Sequence, residues 1–268
     1  MIRAESAAKK CLELRNNDFF PDLVIAHPGW GESFFLKEVW PDTKMLSYVE
    51  FYYKTNDCDI DFDKKFIEKI LEKDFNTFHD YNKFKLTARN ATFISSYATS
   101  DFLVCPTNYQ KSLVPESLRN NIEVIHDGID TEIVKPNKDV TITLGNKKFT
   151  KNDQIISYVS RSLDPYRGFH IFMKSLPQIL KDNPKANILI AGNKDNHGYG
   201  APSPKGSFKE IFYSTIKNEI DTDRVFFLDT LEYSSYLKLI QITTIHIYLT
   251  YPFVLSWSIL EAMSCEAL

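Results

Sequence analysis

The 268-residue sequence predicts an α/β protein built from two Rossmann-like, doubly wound halves in tandem. Three observations lead there. Short apolar runs alternate with longer amphipathic stretches through both halves, and Gly, Pro and charged residues fill the loops that follow those runs. Midway, residues 137–153 break the rhythm with a strand-and-turn pattern. Parallel strands joined by helices are covered on both faces, so they read as continuous apolar runs rather than alternating ones.

In chain order, Ala4 to Arg15 places Ala7, Ala8, Cys11 and Leu12 at helical spacing. Pro21 stops that helix, and Leu23 to Ala26 is a short apolar run suited to a buried strand. His27 to Glu32 is a loop by its Pro and two Gly. A helix through Phe34 to Val39 leads to a second strand, Met45 to Phe51. Asp63 to Leu71 and Lys83 to Ala98 are helical in pattern, and Phe102 to Cys105 and Ile122 to Ile125 are the third and fourth strands. Val140 to Leu144 and Lys147 to Thr150 flank Gly145-Asn146, a hairpin signal. Strands then follow at Ile155 to Ser160, Asn187 to Ala191, Arg224 to Leu228 and Ile245 to Leu249. Helices separate and follow them at Gly168 to Leu180, Phe208 to Ile220, Ser234 to Ile240 and Leu255 to Met263. The expected division is therefore 1–136, a linker with a hairpin at 137–153, and 154–268. Four strands per half are few for a complete doubly wound domain.

Composition narrows the function classes. Thirty-two basic residues against 35 acidic ones leave a charge of -3 with no block of one sign, which argues against a nucleic-acid partner. The 20 Phe and 14 Tyr supply a large apolar interior. Cys11, Cys58, Cys105 and Cys265 form no CxxC pair, so they read as buried small side chains in a reducing compartment. Leu239 to Leu260 lacks Asp, Glu, Lys and Arg over a length that could span a bilayer. Its Gln241, Thr243, Thr244, His246, Thr250 and Pro252 make it a buried strand, loop and helix start instead. The six His show no HxxxH or HxH spacing, so no metal site is expected. The acids at 59, 61 and 63 read as a solvated loop or the lead-in to a helix.

The segment YVSRSLDPYRGFHIFMKSL, Tyr158 to Leu176, carries the most chemistry. A strand ends at Ser160, Arg161 and Arg167 flank the Pro165 turn, and Gly168 admits a tight entry into a helix. That position, past a strand's carboxyl end and beside a helix N-terminus, is where α/β sheets bind ligands. Two guanidiniums with backbone N–H groups suit a diphosphate. Two surface arginines near Asp164 are the competing reading, and position alone does not separate them.

This segment resembles the donor-phosphate motif of family 4 (group 1) glycosyltransferases, and it has company. HDGIDTEIVKP (His126 to Pro136) is similar to that family's segment at the domain crossover. LIAGNKDNHGYG (Leu189 to Gly200) is similar to its Gly-rich loop, and YPFVLSWSILEAMSC (Tyr251 to Cys265) to its carboxylate-bearing helix. HPGWGE (His27 to Glu32) and CPTNYQKSLVP (Cys105 to Pro115) resemble a bacterial branch. The resemblance implies the GT-B fold, two Rossmann-like domains facing each other, and covers essentially the whole chain. It also implies that the family's first strand and Gly-rich loop, and the elements beyond the last helix here, fall outside this sequence, so each domain is expected to be incomplete.

Carried over residue by residue, the resemblance makes Arg161 and Arg167 the catalytic cations that hold the donor diphosphate. Gly192, Asn193 and Tyr199 of the Gly-rich loop and backbone groups at Val254 and Leu255 complete the donor site. Glu261 stands at the second carboxylate of a Glu-x7-Glu motif, near the nucleotide ribose, whose two hydroxyls one carboxylate can receive. Phe253 occupies the first carboxylate's place, so the usual contact to the donor sugar is missing. His27 matches a catalytic His near the donor sugar and the acceptor, with Gly29, Trp30 and Glu32 on the acceptor side. Glu32 is read chiefly as the first-turn acid of the following helix. Glu266 replaces the Gly normally found just after the last helix, where a Cβ crowds the turn.

The implied activity is retaining, metal-independent transfer of a sugar from a nucleoside diphosphate sugar to an acceptor hydroxyl. The donor is a substrate, and no cofactor is implied. The acceptor class is a saccharide or a lipid-linked saccharide. The expected location is cytoplasmic, with peripheral contact at the inner face of the membrane. The alternative is a non-catalytic sugar-nucleotide binder or an inactive fragment of such an enzyme. An epimerase or phosphorylase of the same architecture would need several crevice carboxylates or a cofactor lysine, and the sequence supplies only Glu261 with good support.

Overall fold

Each half of the chain lays its apolar runs side by side as a four-stranded parallel sheet. The computed structural model describes residues 2–268 except 195–197 and 199. In the first half α1 (Ile2–Asn16) leads to β1 (Leu23–Ala26), α2 (Leu36–Val39) and β2 (Lys44–Tyr48). Next come α3 (Lys64–Lys69), α4 (Phe75–Thr99), β3 (Phe102–Cys105), α5 (Asn108–Leu113), α6 (Glu116–Arg119) and β4 (Ile122–Val124). The sheet order is β1-β2-β3-β4, in a register that sets Ala26 opposite Ser47, Ser47 opposite Leu103, and Leu103 opposite Ile122.

Antiparallel β5 (Thr141–Leu144) and β6 (Lys147–Thr150) form the hairpin signalled by Gly145-Asn146. The second half then runs β7 (Ile155–Ser162), α7 (Phe169–Asp182), β8 (Asn187–Asn193), α8 (Phe208–Ile216) and β9 (Val225–Phe227). It finishes with α9 (Tyr233–Ile242), β10 (Ile245–Ile247) and α10 (Trp257–Ser264). Its sheet order is β10-β7-β8-β9, all parallel, with β7 and β8 central. Both halves are thus α/β units with parallel sheets, the class read from the sequence.

Two compact units result: residues up to Phe62 together with Asp74–Asp127, and Asp63–Lys73 together with Gly128–Leu268. Phe169, Phe172, Met173, Leu176 and Leu180 form the buried stripe of α7 at i, i+3, i+4, i+7 and i+11. Tyr158 of β7 stacks on Phe172 with ring centroids 4.9 Å apart. Phe149 of the hairpin joins Ile155, Leu189, Ala191, Leu239 and Ile242 in one buried cluster. Each such side chain contributes about 2 kcal/mol of burial, so this cluster anchors the hairpin in the second unit.

Several elements differ from the sequence reading for local reasons. Helix α4 starts at Phe75 rather than Lys83, because the Asp74 carboxylate caps it by accepting the Thr77 N–H. Its Asn90 side chain both accepts from the Tyr53 N–H and donates to the Tyr53 carbonyl, which fixes the chain after β2. The expected burial of β1 does not hold on both faces. Leu23, Ile25 and Phe102 are 47%, 72% and 53% exposed, and the register carries Ile25 through Leu46 to Phe102 on one face. On edge strand β1 only Ala26 is buried, with Val24 on the same face half-buried. Glu266 adopts φ +58°, the left-handed turn conformation that a glycine would take without a Cβ penalty.

Candidate active site

In the first unit the loop after β1 is organised by His27. Its Nδ1 accepts the Gly29 N–H at 3.1 Å, capping the 3-10 turn Pro28–Trp30. That bond leaves Nε2 as the protonated ring nitrogen, and Nε2 donates to Glu50 Oε2 at 3.0 Å. The hydrogen bond to Glu50 raises the His27 pKa above its ordinary value. A Cβ on Gly29 would lie 2.4 Å from His27 Cε1, so the glycine is what lets the ring fold back over its own turn. Both ring nitrogens therefore have protein partners.

Around His27 stand groups that the sequence reading passed over. The Tyr48 ring lies 5.9 Å from the imidazole, and its hydroxyl donates to Asp127 Oδ1. Burial and that carboxylate push the Tyr48 hydroxyl far above its usual range, so it stays a donor. The side chains of His27 and Glu50 are 38% and 41% exposed, open enough to meet a ligand. Trp30 is exposed, with the Arg3 and Arg89 guanidiniums each 5.4 Å from its ring centre. Glu32 pairs with Arg3 at 3.4 Å and lies in turns before α2, so it is not that helix's first-turn acid. Glu50 carried a signal in hindsight: it is an acid just past a strand's carboxyl end.

In the second unit one cavity opens where β7 and β10 end. Its lining includes Ser160, Arg161, Arg167, Tyr248, Thr250 and Ser256, so both arginines singled out in the sequence reach the same hollow. Arg161 lies beyond a register shift between Val159 and Ser162, and it is exposed. Arg167 ends the turn Pro165–Arg167, which Asp164 caps by accepting the Arg167 N–H at 3.2 Å. Burial pushes the Asp164 carboxyl up to about 6. The Arg167 guanidinium donates to Thr250 Oγ1 at 3.1 Å and lies 5.8 Å from the ring centre of Phe253. An arene thus packs on the cation.

Tyr248 also lines the cavity. Its hydroxyl accepts the Ser256 N–H at 2.9 Å and reaches the Val254 carbonyl at 3.5 Å, holding the loop that carries Val254 and Leu255 before α10. Val254, Leu255, Gly192, Asn193 and Glu261 are not among the cavity's lining residues. Gly192 and Asn193 end β8, beside the register shift of β7, where Asn193 pairs with Ser162. Tyr199 lies outside the described residues. Glu261 is held by two tyrosines: Tyr233 donates to Oε1 at 2.9 Å and Tyr236 to Oε2 at 2.5 Å. Each carboxylate oxygen keeps a second lone pair for another donor. Among the described residues no group of three or more His, Cys, Asp or Glu is arranged to hold a metal ion.

Comparison with known proteins agrees with this architecture. Among curated protein sequences none matches the chain. Of solved structures, sucrose-phosphate synthase from Thermosynechococcus elongatus superposes with TM-score 0.63 at 14% identity, covering 98% of this chain and 59% of that one. The catalytic domain of starch synthase IV from Arabidopsis thaliana, bound to ADP and acarbose, gives 0.59 at 12% identity, covering 97% and 58%. The pneumococcal O-GlcNAc transferase GtfA, in complex with UDP and GlcNAc, gives 0.57 at 14% identity, covering 96% and 43%. The chain spans less than two thirds of each of these proteins, and at such identities the likeness is one of fold. The profile described as Glycosyl transferase family 4 group matches residues 1–134, half of the 268. The chain belongs to the glycosyl transferase family 4 group.

Proposed function

We propose that this chain carries the donor and acceptor machinery for moving a sugar from a nucleoside diphosphate sugar to an acceptor hydroxyl, with retention and without a bound metal. The observation that carries the reading is the pair Arg161 and Arg167 lining one cavity at the carboxyl ends of parallel strands. As the glycosidic bond breaks, negative charge collects on the departing diphosphate. Two fixed guanidiniums stabilise that charge without reorganising, which is the largest catalytic contribution such a site offers. Cations in this place do the work a divalent metal does elsewhere, and the donor is the only small molecule the reading needs.

Glu261, steadied by Tyr233 and Tyr236, receives the ribose hydroxyls. Gly192, Asn193 and the backbone at Val254 and Leu255 flank the donor. On the first unit His27, fixed by Glu50, faces the acceptor with Gly29, Trp30 and Glu32. The acceptor is a saccharide, free or lipid-linked, handled in the cytoplasm at the inner membrane face. No helix among the described residues is long and apolar enough to cross a membrane. The ADP and UDP in the starch synthase and O-GlcNAc transferase structures are the class of donor product this site would release.

Arg161→Ala, made in a chain with parental activity, is expected to reduce turnover about 100- to 1,000-fold, the order of a lost transition-state donor, while leaving the fold intact. Donor hydrolysis and circular dichroism measure the two. Near-parental turnover removes Arg161 from the site. Calorimetric binding of nucleoside diphosphates without any turnover favours the non-catalytic binder instead.

A further inference from the structure

The segment between the two stretches of the first unit belongs to the second. Residues Asp63–Lys73 cluster with Gly128–Leu268, so the chain leaves the first unit at Phe62 and rejoins it at Asp74. This strap buries Phe66, Ile67 and Leu71, and its polar anchor is the Asp63 carboxylate. Asp63 Oδ1 accepts the Phe66 N–H at 2.9 Å and so caps α3. Asp63 Oδ2 accepts from His170 Nε2 at 2.8 Å and from the Tyr251 hydroxyl at 3.1 Å. The Phe66 ring lies 5.6 Å from His170 and 5.7 Å from Phe208.

The two side chains that donate to Asp63 stand close in sequence to residues that line the arginine cavity. His170 is two residues past Gly168, at the start of α7 and just after Arg167. Tyr251 directly follows Thr250, the acceptor of the Arg167 bond, and precedes the loop to Ser256. The loops are also joined to each other. The Tyr251 N–H donates to the Tyr166 carbonyl at 2.9 Å, and the Tyr166 ring lies 5.2 Å from both Tyr251 and Phe253. His170 Nδ1 is buried with no hydrogen-bond partner. Burial lowers the His170 pKa, so the ring stays neutral with its one proton on Nε2, aimed at Asp63.

We propose that Asp63 is a positioning residue for the donor loops: its carboxylate braces 164–170 and 250–256 together and thereby sets where Arg167 stands. The proposal rests on the reading of the arginine cavity as a diphosphate site. A carboxylate is suited to the task because it accepts several bonds at once and its bonds are charge-assisted. The brace comes from the part of the sequence flanked by the first unit, so the half of the chain that carries His27 and Glu50 also supplies the group that orders the donor loops.

Two variants of the 268-residue chain test this. Asp63→Asn keeps the helix cap and the volume, but removes the negative charge and puts an amide N–H where His170 Nε2 and the Tyr251 hydroxyl now donate, so the charge-assisted bonds are lost. Tyr251→Phe deletes one hydroxyl. Amide exchange without ligand is expected to accelerate at least tenfold in 164–170 and 250–256 together in the Asp63 variant, with the β7 and β8 amides unchanged. Pyrophosphate, UDP, GDP and ADP serve as calorimetric probes. Pyrophosphate affinity, and that of whichever nucleotide the parent binds, is expected to fall about tenfold in both variants, with the melting temperature of Tyr251→Phe near parental. Exchange altered only within 63–73, or parental pyrophosphate affinity in both variants, overturns the positioning role. A parent that binds none of the four probes overturns the diphosphate reading itself.

Discussion

Asp164 shows how one residue can tie stability to the chemistry of the site. Its carboxyl is buried under the turn it caps, and burial pushes its pKa up to about 6. In the unfolded chain an aspartate titrates near 3.9, so between about pH 4 and 6 the native state keeps a proton that the unfolded state has released. Native stability therefore falls as pH rises through that window, by about 3 kcal/mol at most. Asp164→Asn retains a capping oxygen but cannot titrate. Denaturant unfolding at several pH values is expected to show a flatter profile between pH 4 and 6 for the variant than for the parent. Parallel profiles would place the proton elsewhere. The neighbouring assignments were legible to different degrees. Arg161 and Arg167 stand out because cations at a strand end need no partner to be noticed. Glu50 does not: its role exists only through His27, 23 residues earlier, and no local pattern encodes that pairing.

At the scale of elements, the strand–turn–helix from β7 to α7 carries both arginines of the cavity, and its tightest constraint is Gly168. This residue adopts φ +74°, and a Cβ there would lie 2.2 Å from the Leu249 carbonyl oxygen. Both the left-handed backbone and the close approach to the end of β10 require glycine. Gly168→Ala is expected to cost about 2 kcal/mol or more, since strain and overpacking add. The same substitution moves Arg167, so weaker pyrophosphate binding should accompany the lower urea midpoint. A loss under about 0.5 kcal/mol would mean that the turn relaxes freely. Elements of this kind are readable because their signals are local: apolar runs for β7 and β8, Pro165 for the turn, Gly168 for the helix entry. Burial of β1 was misread for a complementary reason. An apolar run specifies a strand, but whether a second layer covers Leu23 and Ile25 depends on elements far away in sequence. Helix α3 likewise announces its amphipathic pattern without naming the surface it packs on.

For the molecule as a whole, the strap means that the chain passes between its units three times, after Phe62, Lys73 and Asp127. A cut at the last crossing therefore does not separate two self-sufficient halves. A fragment 128–268 would lose the Asp63 acceptor of His170 and Tyr251, and would uncover surface on Phe208 that Phe66 packs against. Phe66 and Ile67 are 9% and 5% exposed in the intact chain, so their burial contributes about 4 kcal/mol, to which the carboxylate bonds add. That fragment is expected to unfold at a markedly lower urea concentration than the second unit does within the whole chain. A peptide of residues 63–73 added in trans should raise its midpoint, and the same peptide with Asp63 replaced by Asn should do so less. Fluorescence-monitored unfolding with and without peptide decides the matter. If the fragment is as stable alone as in the full chain, the strap is a passenger on the second unit's surface, and the segments 164–170 and 250–256 are ordered by their own contacts, the Tyr251 N–H bond to the Tyr166 carbonyl, the Arg167 bond to Thr250 and the Tyr166–Tyr251–Phe253 ring contacts.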